Sequence, residues 1–402
     1  MKIGIYGGSF NPPHLGHVRA ALACQKALGL SRVLVIPAGI PPHKCLAEGS
    51  ASAQERLALT ELAFGDLPGF TVLDMELRRE GKSYTVDTLR ALKAAHEGDT
   101  LFLMMGTDMF LSFQQWYQPE EIAKCARLVC FSRYEKDQES REALSQQAAR
   151  LAREFGTEPI LLENDCFEIS STEARRLLFF DLAAPYLPQT VAERIREAGL
   201  YGAGKRYEAL CFDELSRVSL ALHKKSRAPH AEGVCQTARA LARRFGEDEA
   251  LAARAGILHD VTKALPAREQ LRLAEKLSVS LTDFERNNPQ LLHAKTGAAV
   301  AREIFGEVDA VCSAIAWHTT GKADMTGLEK IIYLADMIEP NRDYPGAENI
   351  RRAAEEDLDE AVLLALEQSM AFVRERGLAV GGDSELAREF LLSERKHKQH
   401  EP

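Results

Sequence analysis

Two histidines three residues apart, His14 and His17, close the stretch Gly7-Gly8-Ser9-Phe10-Asn11-Pro12-Pro13-His14-Leu15-Gly16-His17, directly after the short run Lys2-Ile3-Gly4-Ile5-Tyr6. On a helix that begins near Leu15 the two imidazoles share one face. Gly16 between them lets a ligand approach the backbone, and a helix N-terminus offers N–H groups and partial positive charge to an anion. Strand, Gly/Pro turn, paired imidazoles and helix start together describe a seat for nucleotide phosphates. No GxxxxGK[ST] stretch occurs in the chain, so this is not a Walker loop.

A second set of chemically capable residues lies far downstream. Ala255-Gly256-Ile257-Leu258-His259-Asp260-Val261-Thr262-Lys263 places an adjacent His-Asp pair after an apolar helical run, and His230, His293, His318 and Asp336 each stand among helix-forming apolar residues. Taken singly, such a residue is more often a hydrogen-bonded member of a core. Six of them in order are better explained as ligands converging inside a helical bundle.

The elements that must carry these residues differ between the two halves. Up to about residue 200, β-rich apolar runs at 32–36, 70–73, 101–105, 128–131 and 160–162 alternate with helical stretches at 53–64, 84–95 and 141–155. The alternation predicts an open parallel sheet with helices on both faces and with His14 and His17 at the carboxyl ends of the strands. Beyond Leu200-Tyr201-Gly202-Ala203-Gly204-Lys205 helical periodicity dominates, which predicts an all-α second domain. The expected domains are residues 1–205 and 206–402, with a polar tail from Glu394 expected to fray.

Composition narrows the classes. A chain of 402 residues exceeds one ordinary domain, and 46% hydrophobic with 27% charged residues is the balance of a globular protein. A net charge of -9 argues against a general nucleic-acid surface, although local lysines and arginines can still hold nucleotides. The eight cysteines include no CxxC pair, which disfavours a structural zinc knot and suits reduced thiols in a cytoplasmic protein. The chain enters a core strand at once and contains no apolar run long enough for a bilayer, so neither a signal peptide nor a membrane role is expected.

Four further segments carry a resemblance. They are Ile36-Pro37-Ala38-Gly39-Ile40-Pro41-Pro42-His43-Lys44, Ser83-Tyr84-Thr85-Val86-Asp87-Thr88-Leu89, Gly106-Thr107-Asp108 with Trp116-Tyr117, and Ile169-Ser170-Ser171-Thr172-Glu173-Ala174-Arg175. With the first motif, and in the same order, residues 1–202 resemble the bacterial nicotinate mononucleotide adenylyltransferases, with a Rossmann-like nucleotidyltransferase fold. The resemblance implies that the phosphate of nicotinate mononucleotide attacks the α-phosphate of ATP, a reaction governed by positioning and charge stabilisation. It implies that Gly7, Gly8, Ser9 and Phe10 line the nucleotide seat and that His14 and His17 contact ATP phosphates, His17 stabilising the transition state. Ser171, Thr172 and Arg175 would complete the cradle at a second helix N-terminus, Lys44 would add a phosphate contact, and Mg2+ would enter with ATP. Thr85, Trp116 and Tyr117 would form the pyridine site and Asp108 would accept from ribose hydroxyls, against core packing for Trp116 and helix capping for Asp108. The phosphopantetheine adenylyltransferases share the first motif, but they usually have Thr at the place of His14 and lack the segments at 83–89 and 116–117. Ala174 stands where the closing motif commonly has isoleucine, a change of packing.

The downstream residues resemble the HD-domain metal phosphohydrolases. More narrowly, through 292–298, 314–321 and 325–340, they resemble a bacterial subfamily that cleaves diadenosine tetraphosphate symmetrically to two ADP. Six such ligands suit two divalent metals, with Asp260 bridging, His230, His259 and Asp336 completing one site and His293 and His318 the other. The resemblance favours iron, and it makes Asp260 and Lys263 catalytic and Lys263 and Arg342 phosphate contacts, with solvated surface charge as the competing account of the two cations. Arg227 is followed by Ala228-Pro229 where this family usually has an aromatic residue, which alters the helix start before His230. The expected protein is thus a bifunctional enzyme using ATP, nicotinate mononucleotide and diadenosine tetraphosphate, its oligomeric state open. The alternatives give the second domain another nucleotide phosphate ester or a role as a metal-stabilised regulatory module.

Overall fold

The apolar runs of the first half assemble into one six-stranded, wholly parallel sheet in the computed structural model, which describes residues 1–41, 46, 49–131, 138–163 and 167–400. The strands are β1 (Lys2–Gly8), β2 (Arg32–Pro37), β3 (Phe70–Val72), β4 (Thr100–Gly106), β5 (Arg127–Phe131) and β6 (Ile160–Leu162), in the order β3-β2-β1-β4-β5-β6. The helices between and after them are α1 (Leu15–Leu28), α2 (Ala53–Phe64), α3 (Thr85–Ala95), α4 (Thr107–Leu111), α5 (Pro119–Cys125), α6 (Gln138–Phe155), α7 (Ser171–Phe179) and α8 (Gln189–Glu197). The chain steps outward from β1 to β3 and then returns to place β4 beside β1, with Ile3 opposite both Arg32 and Leu101. That reversal opens a crevice beyond the carboxyl ends of β1 and β4, where open α/β sheets collect ligands.

Strands covered on both faces read as near-continuous apolar runs, and the buried stretches of β1, β2, β4 and β5 do. Ile3, Ile5, Leu34, Ile36, Leu101, Leu103 and Met105 pack with Val86 and Leu89 of α3 and with Phe110 and Phe113 in one core cluster. A second group of rings forms around Tyr6, whose centroid lies 5.4 Å from Phe10, 5.6 Å from Phe131 and 6.4 Å from Phe64. It anchors the first loop from beneath.

The division into two units falls between Gly204 and Lys205. The second unit is helical: α9 (Phe212–Leu222), α10 (Ala228–Phe245), α11 (Glu249–Leu258), α12 (Ala267–Lys276), α13 (Asp283–Asn287), α14 (Leu292–Glu303), α15 (Asp309–Trp317), α16 (Gly327–Ile338), α17 (Ala347–Ala353), α18 (Leu358–Glu375) and α19 (Gly382–His400). α10 packs on α11 and α16, and α14 on α12 and α15. The polar tail from Glu394, expected to fray, is helical here, α19 continuing to His400. Among the described residues no helix is long and apolar enough to cross a membrane.

Candidate functional site

His14 is the N-cap of α1. Its Nδ1 accepts from the His17 backbone N–H at 3.4 Å, while His17 Nδ1 accepts from the His14 N–H at 3.2 Å. This reciprocal capping, ordinarily made by Ser or Thr with Glu, leaves the ring proton of each neutral imidazole on Nε2. The rings stack with centroids 3.6 Å apart and an interplanar angle of 26°. A side chain on Gly16 would lie 2.9 Å from Phe167 O and 3.0 Å from His14 Nδ1, so the residue between the histidines has no room for a Cβ. At Gly7 a Cβ would meet nothing within 4 Å, which leaves open space over the backbone at the end of β1.

The residues expected to complete the phosphate cradle do reach this loop, but as donors to its carbonyls. Arg175 Nη1 donates to Asn11 O at 2.6 Å and Nη2 to Thr172 Oγ1 at 3.2 Å, while Ser171 Oγ donates to Pro12 O at 3.1 Å. The Asn11 side chain is held on both sides, accepting from Tyr201 OH at 2.8 Å and donating to Ser50 Oγ at 2.7 Å. Lys44 lies outside the described residues.

Arg56 went unread in the sequence. It is fully buried and donates from Nη1 to Ser9 O at 2.7 Å and from Nη2 to Gly39 O at 3.0 Å. The one signal is its register: Arg56, Leu59, Thr60 and Ala63 form the inward stripe of α2.

The segments expected around the pyridine converge as well. Ser83 Oγ accepts from the backbone N–H groups of Gly39 (3.1 Å) and Ile40 (3.3 Å), which ties the loop after β2 to the start of α3 at Thr85. The rings of Tyr84 and Tyr117 meet at 4.6 Å, and half of Tyr117 is exposed. Trp116 is partly buried, its ring 5.5 Å from Phe113 at the edge of the core. Asp108 is an exposed second residue of α4, whose cap is Gly106, so the capping account of Asp108 does not hold.

In the second unit every candidate ligand sits at a helix end. His230 and His293 lie in the first turns of α10 and α14, His259 and His318 directly follow α11 and α15, and Asp336 is in the last turn of α16. Pro229 is accommodated in the first turn of α10, where a missing N–H leaves no helical bond unmade. All of these groups are buried, and His230, His259, Asp260, His293, His318 and Asp336 form overlapping triplets whose ligand atoms lie within 4.8 Å of one another.

The Asp260 carboxylate divides the cluster. Its Oδ1 lies 3.1 Å from His293 Nε2 and 3.6 Å from His318 Nε2, and its Oδ2 lies 3.5 Å from His259 Nε2 and 3.7 Å from His230 Nε2. Asp336 Oδ1 approaches His230 Nε2 at 3.1 Å and His259 Nε2 at 3.9 Å. His259 and His318 each donate from Nδ1 to a backbone carbonyl, Gly256 O and Ile315 O, both at 2.7 Å. Their Nε2 atoms therefore carry lone pairs, the form a metal requires. His230 Nδ1 meets the buried Glu339 carboxylate at 3.1 Å, and the buried Nε2 atoms of His230 and His259 have no hydrogen-bond partner. Donor types, ring orientation and outer carboxylate fit a divalent-cation site.

Electrostatics agree with that fit. Burial pushes the Asp260 carboxyl up, but the surrounding imidazoles of His259, His293 and His318 outweigh it and hold Asp260 well below the usual carboxylate range. Burial drives His293 down to about 4, which keeps its ring neutral near pH 7. Three cations border the carboxylates: Arg227 on Asp260 Oδ2, Lys263 on Asp260 Oδ1 at 3.1 Å and Arg342 on Asp336 Oδ1 at 2.5 Å. Arg227 and Glu339 had no role in the sequence reading, although the motif segments contain both.

A doubly wound sheet with paired histidines at its crevice defines a nucleotidyltransferase, and the chain matches the cytidylyltransferase-like family model over residues 5–177. The HD domain model matches residues 227–341. A probable nicotinate-nucleotide adenylyltransferase of Trichlorobacter lovleyi is 38% identical over 212 residues, which are 50% of this chain and 99% of that protein. A protein of the same description from Geobacter sulfurreducens is 38% identical over 218 residues, covering 50% and 98%. A solved chain from Clostridium acetobutylicum, described as a predicted HD superfamily hydrolase involved in NAD metabolism, is 34% identical and spans 46% of this chain and 98% of its own, with a TM-score of 0.45. Through its first half the chain belongs to the nicotinate-nucleotide adenylyltransferase family, and its second half carries an HD domain.

Proposed function

We propose that the chain joins two phosphate-transfer activities, NAD-precursor synthesis and dinucleotide polyphosphate hydrolysis. In the first, a phosphate oxygen of nicotinate mononucleotide forms a bond to the α-phosphorus of ATP as the bond to the β-phosphate breaks, giving deamido-NAD and pyrophosphate. His14 and His17 present Nε2–H donors to the phosphates, with His17 against the charge that grows at the α-phosphate. Gly7, Gly8, Ser9 and Phe10 form the floor of that seat, with Ser171, Thr172 and Arg175 beside it. Thr85, Trp116 and Tyr117 hold the pyridine and Asp108 the ribose. Magnesium arriving with ATP supplies charge neutralisation of the triphosphate.

In the second activity, diadenosine tetraphosphate is cleaved symmetrically to two ADP. His230, His259, Asp336 and Asp260 Oδ2 would hold one divalent ion, and His293, His318 and Asp260 Oδ1 the other, with iron the favoured metal. Bound there, such a pair supplies Lewis acidity and lowers the pKa of water. Lys263, Arg342 and Arg227, each about a third exposed, offer charge-assisted donors to the phosphate chain. The observation that carries this reading is the Asp260 carboxylate, one oxygen facing each pair of imidazoles.

The test is product analysis of the full chain, reconstituted with ferrous iron and given diadenosine tetraphosphate. ADP as sole product is expected. AMP with ATP would overturn the symmetric cleavage. No turnover with metal bound would move the domain to another nucleotide phosphate ester or to a metal-stabilised regulatory module.

A further inference from the structure

We infer that Arg56 is a positioning residue for adenylyl transfer, its guanidinium setting the backbone of the loop that receives the ATP phosphates. The inference rests on the assignment of the Gly7 to His17 stretch as the nucleotide seat. Among the described residues Arg56 is the largest fully buried side chain, and no carboxylate meets it within ion-pair distance. A buried cation without an acid is costly unless its donors are used, and its Nε has no partner at all. What it does hold is the chain: Ser9 O in the loop after β1 and Gly39 O in the loop after β2. These strands are neighbours, so one planar fork spans the carboxyl ends of both.

The consequence runs through Phe10. In a trans peptide the carbonyl and the following N–H point in opposite directions, so drawing Ser9 C=O onto Arg56 turns the Phe10 N–H away from it. Phe10 itself has φ 41°, in the left-handed region that a phenylalanine keeps only when its surroundings impose it. Its fully buried ring packs 5.1 Å from His17 and 5.8 Å from Phe64, which lies on the same helix as Arg56. Arg56 therefore holds the peptide that fixes Phe10, and Phe10 lies against the histidine assigned to the transition state. Ser83, accepting from the Gly39 and Ile40 N–H groups, secures the far end of the same clamp.

The experiment compares Arg56→Lys and Arg56→Met with the unmodified full chain, varying ATP and nicotinate mononucleotide separately and recording thermal melting alongside. Arg56→Met should raise KM for ATP at least tenfold and lower kcat, with KM for nicotinate mononucleotide within twofold. Arg56→Lys, able to reach one carbonyl but not both, should fold and show the same ATP-selective defect in a milder form, so it carries the test even if Arg56→Met fails to fold. Unchanged kinetics in Arg56→Met, or equal rises in both KM values with a lowered Tm, would overturn the role. His17→Ala in the same assay separates the two levels. If it is fully active, the seat itself is misassigned. If it is inactive while the Arg56 variants are normal, only the role of Arg56 falls.

Discussion

Behind the loop that follows β2 lies a carboxyl, Glu76, with 7% of its surface exposed and Thr88 Oγ1 donating to it at 2.6 Å. Burial raises it from 4.5 to about 6, against the hydrogen bond from Thr88, the charge of Arg79 and the hydrogen bond from Ser83. The protonated acid is thus the form the fold prefers. Its contribution is fully present below pH 4.5 and is lost as pH rises through about 6, a change on the order of 2 kcal/mol. Glu76→Gln keeps an acceptor for Thr88 and removes the titration. It should melt higher than the parent at pH 8 and together with it at pH 4.5, in thermal scans across that range. A parent-like pH dependence surviving in the variant would show that Glu76 is not the source.

At the scale of elements, the second site depends on how helix ends are held together. Thr262 Oγ1 donates to His293 O at 3.1 Å and lies 2.9 Å from Thr296 Oγ1, which donates to Gln270 Oε1 at 2.6 Å. Gln270 Nε2 returns to Thr262 O at 3.2 Å. These side chains of α12, α14 and the turn after Asp260 are buried, so each lost partner leaves a polar atom unsatisfied. Thr262→Val, equal in shape, should cost about 1–3 kcal/mol in urea unfolding, and Thr262→Ser should recover most of it. A loss within error of zero for Thr262→Val would remove the network from the account. None of this was legible in the sequence, because a threonine after His-Asp reads the same whether solvated or sealed in. The ligands themselves were legible, since His and Asp stand out among apolar helical residues. So was α2, read as a helical stretch over residues 53–64, the observed Ala53–Phe64. Arg56 within it was not, because an arginine in a helix is ordinarily solvated and only its register betrayed it. The polar end of α19 reads as a tail in sequence yet is helical, because Glu, Arg, Lys and Gln are good helix formers and Arg395 reaches Glu360 at 3.4 Å.

For the whole molecule, what matters is that each candidate site is built from one unit's own residues. His14, His17, Arg56, Ser171, Arg175 and Tyr201 all lie within Met1–Gly204, and Arg227 through Arg342 within Lys205–Pro402. The net charge of -9 makes a generally attractive surface for polyanions unavailable, so each site must hold phosphate with its own local cations and N–H donors. Two sites that share no residues should fail separately. His17→Ala should lower deamido-NAD formation about a hundredfold or more while leaving metal content and diadenosine tetraphosphate hydrolysis within twofold. Asp260→Asn should do the reverse, because an amide cannot supply two anionic oxygens to two imidazole pairs: bound metal, read by elemental analysis, should fall, and adenylyl transfer should persist. Asn is preferred to Ala at this position since it fills the same buried volume beside Arg227 and Lys263. Loss of both activities from either substitution, with Tm unchanged, would mean that the sites communicate, and the two-site account would have to give way to a coupled one.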